Sequence, residues 1–84
     1  MKIGKLYKIH CVYLDVSVMY KNQHGIWVKG NHNHSSYYDD YGVRYKTVKV
    51  GQPAMFIADY TGRYGVFLVE DQYVELNYDD LEDL

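Results

Sequence analysis

The stretch A-M-F-I-A at residues 54–58 is a continuous apolar run in an otherwise polar neighbourhood. A run of this kind is typical of a central strand that is covered on both faces. The preceding G-Q-P at residues 51–53 predicts a turn, and Pro53 marks a strand boundary because proline cannot donate to a sheet ladder. We therefore expect residues 54–58 to lie at the heart of a β-rich core.

Upstream, residues 6–20 are strongly β-prone and alternate with period two. Tyr7 and Ile9 are apolar members of the first part, whereas the apolar positions of the second part begin at Val12. The phase of the pattern thus flips near Cys11 and Val12, which predicts a bulge or a break between two strands.

Downstream, residues 64–69 and 73–76 are predicted strands joined by a tight connection. The end of the chain, N-Y-D-D-L-E-D-L, predicts a short helical turn with Asn77 as its N-cap and with Tyr78, Leu81 and Leu84 on one face. The sequence therefore predicts one domain, residues 1–84, that is mainly β: a small antiparallel barrel of five or six strands with a short C-terminal helical turn.

Two resemblances add to this expectation. The segments G-R-Y-G-V-F at residues 62–67 and Y-V-E-L at residues 73–76 resemble the C-terminal end of an SH3 domain, which implies an SH3-like small barrel. In its length and in its content of Tyr, Lys and Asp, the chain is also similar to small accessory proteins encoded by bacteriophages. That similarity implies an inhibitor of a host or anti-phage defence protein.

The single cysteine, Cys11, excludes a disulfide within the chain, which favours an intracellular compartment. The N-terminal residues carry charges every few positions and contain no apolar stretch that would serve as a signal peptide or membrane span. We expect a cytoplasmic protein, located in the host cytoplasm if it is phage-encoded. A core this small also leaves a homo-oligomer open.

Residues 30–42, G-N-H-N-H-S-S-Y-Y-D-D-Y-G, contain no aliphatic side chain. Tyr, Ser, Asn and Gly are the residues that recognition loops use, because Tyr supplies rigid contact area and the others supply adaptable hydrogen bonds. The segment is therefore predicted to bind a partner, together with the tryptophan that precedes it. The predicted contacts are Trp27, His32, His34, Tyr37, Tyr38 and Tyr41.

The acidic residues are concentrated at one end. Residues 70–84 contain seven of the eleven acidic residues and no Lys or Arg. Such a segment predicts electrostatic steering towards another protein with a basic surface. The predicted contacts in this patch are Asp79, Asp80, Glu82 and Asp83.

The sequence contains no catalytic signature, and we predict a non-catalytic protein-binding module with no cofactor and no metal. His32 and His34 have a suggestive spacing, but they supply only two of the ligands that zinc needs. An alternative is a single-stranded nucleic-acid-binding barrel, for which basic residues beside aromatic ones would matter. Those basic residues are Lys5, Lys8, Arg44 and Lys46. A further alternative is a protein that sequesters nucleotides or another small molecule.

Overall fold

The structure, a computed structural model, describes residues 1–10, 13–29 and 43–84. Within these ranges it contains nine β-strands and one turn of 3-10 helix at Tyr78–Asp80. The strands are β1 (Leu6–Ile9), β2 (Tyr13–Ser17), β3 (Met19–Lys21), β4 (Trp27–Lys29), β5 (Tyr45–Lys49), β6 (Pro53–Asp59), β7 (Tyr64–Val69), β8 (Gln72–Asn77) and β9 (Leu81–Asp83). Cys11 and the predicted recognition segment, residues 30–42, lie outside the described residues.

The described strands form three antiparallel sheets. The largest has five strands in the order β8-β7-β6-β1-β9, and the other two are the pairs β2-β5 and β3-β4. The prediction of a mainly β, antiparallel fold is confirmed. The closed barrel is not confirmed, and the predicted five or six strands are too few for the part of the chain that the structure describes.

The number of strands is larger because the extended segment around Val18 changes its partner. Residues of β2 pair with β5, Val18 forms a single bridge with Val74, and β3 then pairs with β4. Period-two alternation shows which side chains share a face, but it does not show which strand lies alongside. The sequence pattern therefore does not reveal that β2 and β3 are separate strands. The predicted break near Cys11 is confirmed, since β1 ends at Ile9 and β2 begins at Tyr13.

The run at residues 54–58 occupies a central strand, as predicted. β6 begins at Pro53 and lies between β1 and β7. Ala54 and Phe56 are buried, but Met55 and Ile57 on the opposite face are only partly buried. The expectation that both faces are fully covered is therefore wrong, and the five-stranded sheet has a core face and an outer face.

The core face is defined by register. Tyr7 lies opposite Ala54, Phe56 opposite Phe67, and Phe67 opposite Val74, and all of these residues are buried. Residues directly opposite each other in an antiparallel pair share a face, so these side chains form one apolar layer. The β2-β5 sheet contributes Val16 and Val48 to the same cluster.

The C-terminal turn forms as predicted but is shorter. The Asn77 side chain accepts a hydrogen bond from the backbone N–H of Asp79 at 2.9 Å, which is the expected N-cap interaction. The chain then leaves the helical conformation at Leu81, and β9 pairs with β1. Leu81 is buried whereas Leu84 is 71% exposed, so the predicted shared face of these two leucines is wrong.

Tyr78 fixes this turn against the sheet. Its ring meets Phe56 and Phe67 edge-on, and its hydroxyl donates a hydrogen bond to Asp59. Gly65 makes room for the ring, because a Cβ at that position would lie 2.8 Å from Tyr78. Burial, together with the hydrogen bond to Asp59, raises the pKa of Tyr78 well above its ordinary value.

Candidate functional site

The predicted site residues fall into three groups. His32, His34, Tyr37, Tyr38 and Tyr41 lie in residues 30–42, outside the described residues. Trp27 lies in β4, and the acidic residues Asp79, Asp80, Glu82 and Asp83 lie in the C-terminal turn and in β9. The described groups are separate surfaces, and a third surface joins Asp80 to residues that were not predicted.

Trp27 is part of an aromatic pair. Its ring centre lies 5.0 Å from that of Tyr73 on β8, with the two planes tilted by 53°. The Lys21 ammonium lies over the Trp27 ring, 5.6 Å from its centre. Trp27 is thus half-buried against the sheet, while Tyr73 keeps 40% of its surface exposed. An aromatic pair beside a cation is a contact surface of the kind found at interface hot spots.

Two of the predicted acidic residues are neutralised within the chain. Glu82 lies 3.3 Å from the Lys8 ammonium, and Asp83 lies 3.3 Å from that of Lys5. All four side chains are largely exposed, so these ion pairs contribute little stability. Their effect on recognition is larger, because each pair offsets negative charge that the sequence predicts to be free for a partner.

Glu70 and Glu75, also in the acidic segment, pair with lysines of other strands. Lys46 lies 2.9 Å from Glu70, and Lys29 lies 3.1 Å from Glu75. The hydrogen bond and the charge of Lys46 hold the pKa of Glu70 below its ordinary value. The segment that is purely acidic in sequence is therefore interleaved with basic residues in space.

A cleft, here called the acidic cleft, lies between β2 and the open end of the β7-β8 hairpin, where Tyr64 pairs with Asn77. It has a volume of about 260 Å³. Three acidic residues line it, of which Glu75 is paired with Lys29, and the lining contains no Lys or Arg. The lining residues are Leu14, Asp15, Val16, Ser17, Tyr64, Glu75, Asn77 and Asp80.

Two acidic residues of the acidic cleft are anchored by hydrogen bonds to different parts of the chain. Asp15 accepts a hydrogen bond from the Thr47 hydroxyl at 2.6 Å, across the β2-β5 pair. The backbone carbonyl of Asp80 accepts from the backbone N–H of His10 at 2.9 Å. Leu14 and Val16 belong to the same lining. A cleft lined by both apolar and acidic residues suits a long cationic side chain, whose stem is apolar and whose head is charged.

The sequence predicted only Asp80 among the cleft residues. Asp15 is a polar residue between the apolar Leu14 and Val16, and Glu75 is a polar residue between Val74 and Leu76. Alternation of this kind predicts an ordinary solvent-facing side chain at both positions. What brings them together is the placement of β2 beside β8. No local signal in the sequence encodes that long-range contact.

The described residues contain no group of three His, Cys, Asp or Glu side chains placed to hold a metal ion. Nor does any helix in residues 1–10, 13–29 and 43–84 have the length and apolar character needed to cross a membrane. Comparison of the chain with models of protein families, with curated proteins and with solved structures found no match.

Proposed function

We propose that the chain is a non-catalytic protein-binding module that receives a basic side chain of its partner in the acidic cleft. The carrying observation is the cleft itself, which Asp15 and Asp80 line without an Arg or Lys in the lining, while the third acidic residue, Glu75, is paired with Lys29. A guanidinium or ammonium group that reaches the carboxylates of Asp15 and Asp80 forms charge-assisted hydrogen bonds. The partner is therefore a protein with a basic surface.

The other predicted contacts extend this surface in the same proposal. Asp79 is exposed beside Asp80 and adds to the negative charge near the cleft. Glu82 and Asp83, whose ion pairs stay exposed, contribute contacts outside the cleft lining. The Tyr and His residues of the predicted recognition segment supply further contacts. The similarity to phage accessory proteins and to the end of an SH3 domain supports a small β module that inhibits a host or defence protein.

The first test is fluorescence anisotropy with a labelled hexa-arginine peptide at two salt concentrations. Replacing Asp15→Asn and Asp80→Asn together should weaken binding about three- to tenfold, since each exposed ion pair contributes about 0.2 to 1 kcal/mol. Asparagine keeps an oxygen that accepts from Thr47, so the fold should be retained.

A matched control removes the same amount of charge elsewhere. Glu70→Gln with Asp71→Asn changes two exposed carboxylates of the β7-β8 turn that neither line the cleft nor belong to the predicted contacts. This control should change the affinity by less than about twofold. Equal losses in both double variants would show that only net charge matters and would contradict the cleft.

Single-strand binding is the second candidate, and the aromatic pair with its neighbouring Lys21 favours it. Three of the four basic residues predicted for it, however, are held in ion pairs by the chain's own acidic residues: Lys5, Lys8 and Lys46. A labelled ten-nucleotide oligothymidine in the same assay decides between the two. Micromolar binding that weakens steeply with salt would favour the nucleic-acid function.

A further inference from the structure

One acidic residue of the cleft, Glu75, already holds a cation that belongs to the chain itself. The Lys29 ammonium lies 3.1 Å from the Glu75 carboxylate. The same ammonium lies over the Tyr60 ring, 6.0 Å from its centre, which is a second favourable contact for a cation. Lys29 therefore shows which kind of group this part of the cleft accepts, namely an ammonium at the end of an apolar stem.

The fold places Lys29 at this position through two neighbouring contacts. Trp27 and Lys29 are two residues apart on β4, so they share one face of that strand. Tyr73 and Glu75 are likewise two residues apart on β8. Trp27 packs on Tyr73, and Lys29 pairs with Glu75. β4 thus runs along β8 over the outer face of the five-stranded sheet, and the ion pair is part of this packing.

The two partners of this ion pair differ in their freedom to move. The Glu75 side chain is 12% exposed and lies opposite Val66, which is fully buried. The Lys29 side chain is 38% exposed, and lysine has a flexible four-carbon stem. Lys29 can therefore turn towards solvent, whereas Glu75 stays beside the cleft. A carboxylate that is nearly buried needs a cationic partner, because leaving it unpaired is costly.

We propose that Lys29 is an autoinhibitory contact of the acidic cleft, which occupies Glu75 in the free chain and is displaced by a basic side chain of the partner. This inference rests on the proposed function, because it concerns a cation that binds in the same cleft. In the free chain, Asp15 and Asp80 are the acidic residues of the lining without a lysine partner among the described contacts. Displacement of Lys29 adds Glu75 to them, but the partner has to break one ion pair to form another. The ammonium of the chain therefore weakens the binding of the partner.

The test is a fluorescence anisotropy titration of the full chain with the labelled hexa-arginine peptide. Lys29→Met keeps an apolar stem but removes the ammonium, so Glu75 becomes available and the peptide should bind about three- to tenfold tighter. Lys29→Arg keeps a cation at Glu75 and should bind within about twofold of the wild type. Circular dichroism verifies that each variant is folded. Lys29→Gln replaces Lys29→Met if the latter does not fold, and it should bind at least about twofold tighter than the wild type.

The matched control is Lys46→Met, which removes the same charge from another ion pair. Lys46 lies 2.9 Å from Glu70, and Glu70 does not line the cleft. This variant also leaves one carboxylate without its lysine, but at a distance from the proposed site. It should change the affinity for the peptide by less than about twofold. Equal gains in Lys29→Met and Lys46→Met would show that only net charge matters and would overturn the proposal.

A double variant tests whether the gain comes through Glu75. Lys29→Met combined with Glu75→Gln should lose the gain and bind within about twofold of the wild type, and a gain that persists would overturn the proposal. If the wild type binds the peptide and Lys29→Met binds it no more tightly, the autoinhibitory contact is wrong while the proposed function stands. Peptide binding by Lys29→Met alone would support the contact. Absence of binding by both chains would overturn the proposed function and this inference together.

Discussion

The two faces of the five-stranded sheet differ in how completely the rest of the chain covers them. Along β7, Phe67 is fully buried whereas its neighbour Leu68 is only partly buried. The core face is closed by the β2-β5 sheet and by Tyr78, and the outer face is overlaid near β8 by the β4 residues Trp27 and Lys29. Val66 shares the outer face with Leu68 and is fully buried, so the cover of that face is uneven. A single step along the strand, from Phe67 to Leu68, thus separates a fully buried residue from a partly buried one.

The largest expected effect tests this difference directly. Phe67→Ala should lower the free energy of unfolding by about 3 to 5 kcal/mol, because it removes a fully buried ring that packs on Phe56 and Tyr78. Leu68→Ala, one residue further along, should lower it by about 1 to 1.5 kcal/mol, because the leucine is only partly buried. Urea denaturation of both variants measures the two values. Similar losses would mean that the two faces contribute equally to stability.

A second comparison concerns two glycines of the β6-β7 hairpin. Gly65→Ala places a methyl group 2.8 Å from the Tyr78 ring and should cost about 1 to 3 kcal/mol of stability. A Cβ at Gly62 meets no atom within 4 Å, so Gly62→Ala should leave stability within about 0.5 kcal/mol of wild type. Thermal unfolding distinguishes them, and a tolerated Gly65→Ala would show that Tyr78 does not pack closely on β7.

Tyr78→Phe should cost about 0.5 to 1.5 kcal/mol, because it removes the hydrogen bond to Asp59 while keeping the ring. The pKa of Tyr78 is raised in the folded chain, so the folded state holds the phenolic proton more tightly than the unfolded state does. That contribution to stability is complete below about pH 10 and is lost as the pH rises above it. The wild type should therefore lose stability faster than the variant between about pH 9.5 and pH 11. Parallel stability profiles would contradict the assigned hydrogen bond.

The smallest effect is expected at the β7-β8 turn. Glu70→Gln removes the ion pair with Lys46 at a position where the backbone is left-handed, with φ 55°. The lowered pKa of Glu70 stabilises the fold above the ordinary carboxyl range, and this contribution is lost as the pH falls below about 4.5. The variant should show a slightly flatter acid unfolding profile, whereas Asp71→Asn in the same turn serves as the control.

Local signals in the sequence predict much of the fold. The position of Pro53 predicts where β6 begins, and the shift in period-two phase separates β1 from β2. Asn77 is recognisable as an N-cap because its short polar side chain precedes two acidic residues. Each of these features is set by a few neighbouring residues.

Long-range pairing is what the sequence does not reveal. The segment L-E-D at Leu81–Asp83 continues a helical pattern, yet it forms β9 because β1 offers an unpaired edge and a pocket for Leu81. The ion pairs of the acidic segment likewise depend on which lysines the sheets bring near. The acidic cleft was missed for the same reason, since β2 and β8 approach each other from distant parts of the chain.

The proposed function predicts that a basic ligand binds in the acidic cleft and leaves the core face of the five-stranded sheet unchanged. The most direct test is a two-dimensional NMR titration of the full chain with a short arginine-containing peptide. The account predicts chemical-shift changes at Asp15, Glu75 and Asp80, with the signals of Phe56 and Phe67 unmoved. Shifts confined to other surfaces, or no saturable shifts at millimolar peptide, would contradict the acidic cleft as the binding site.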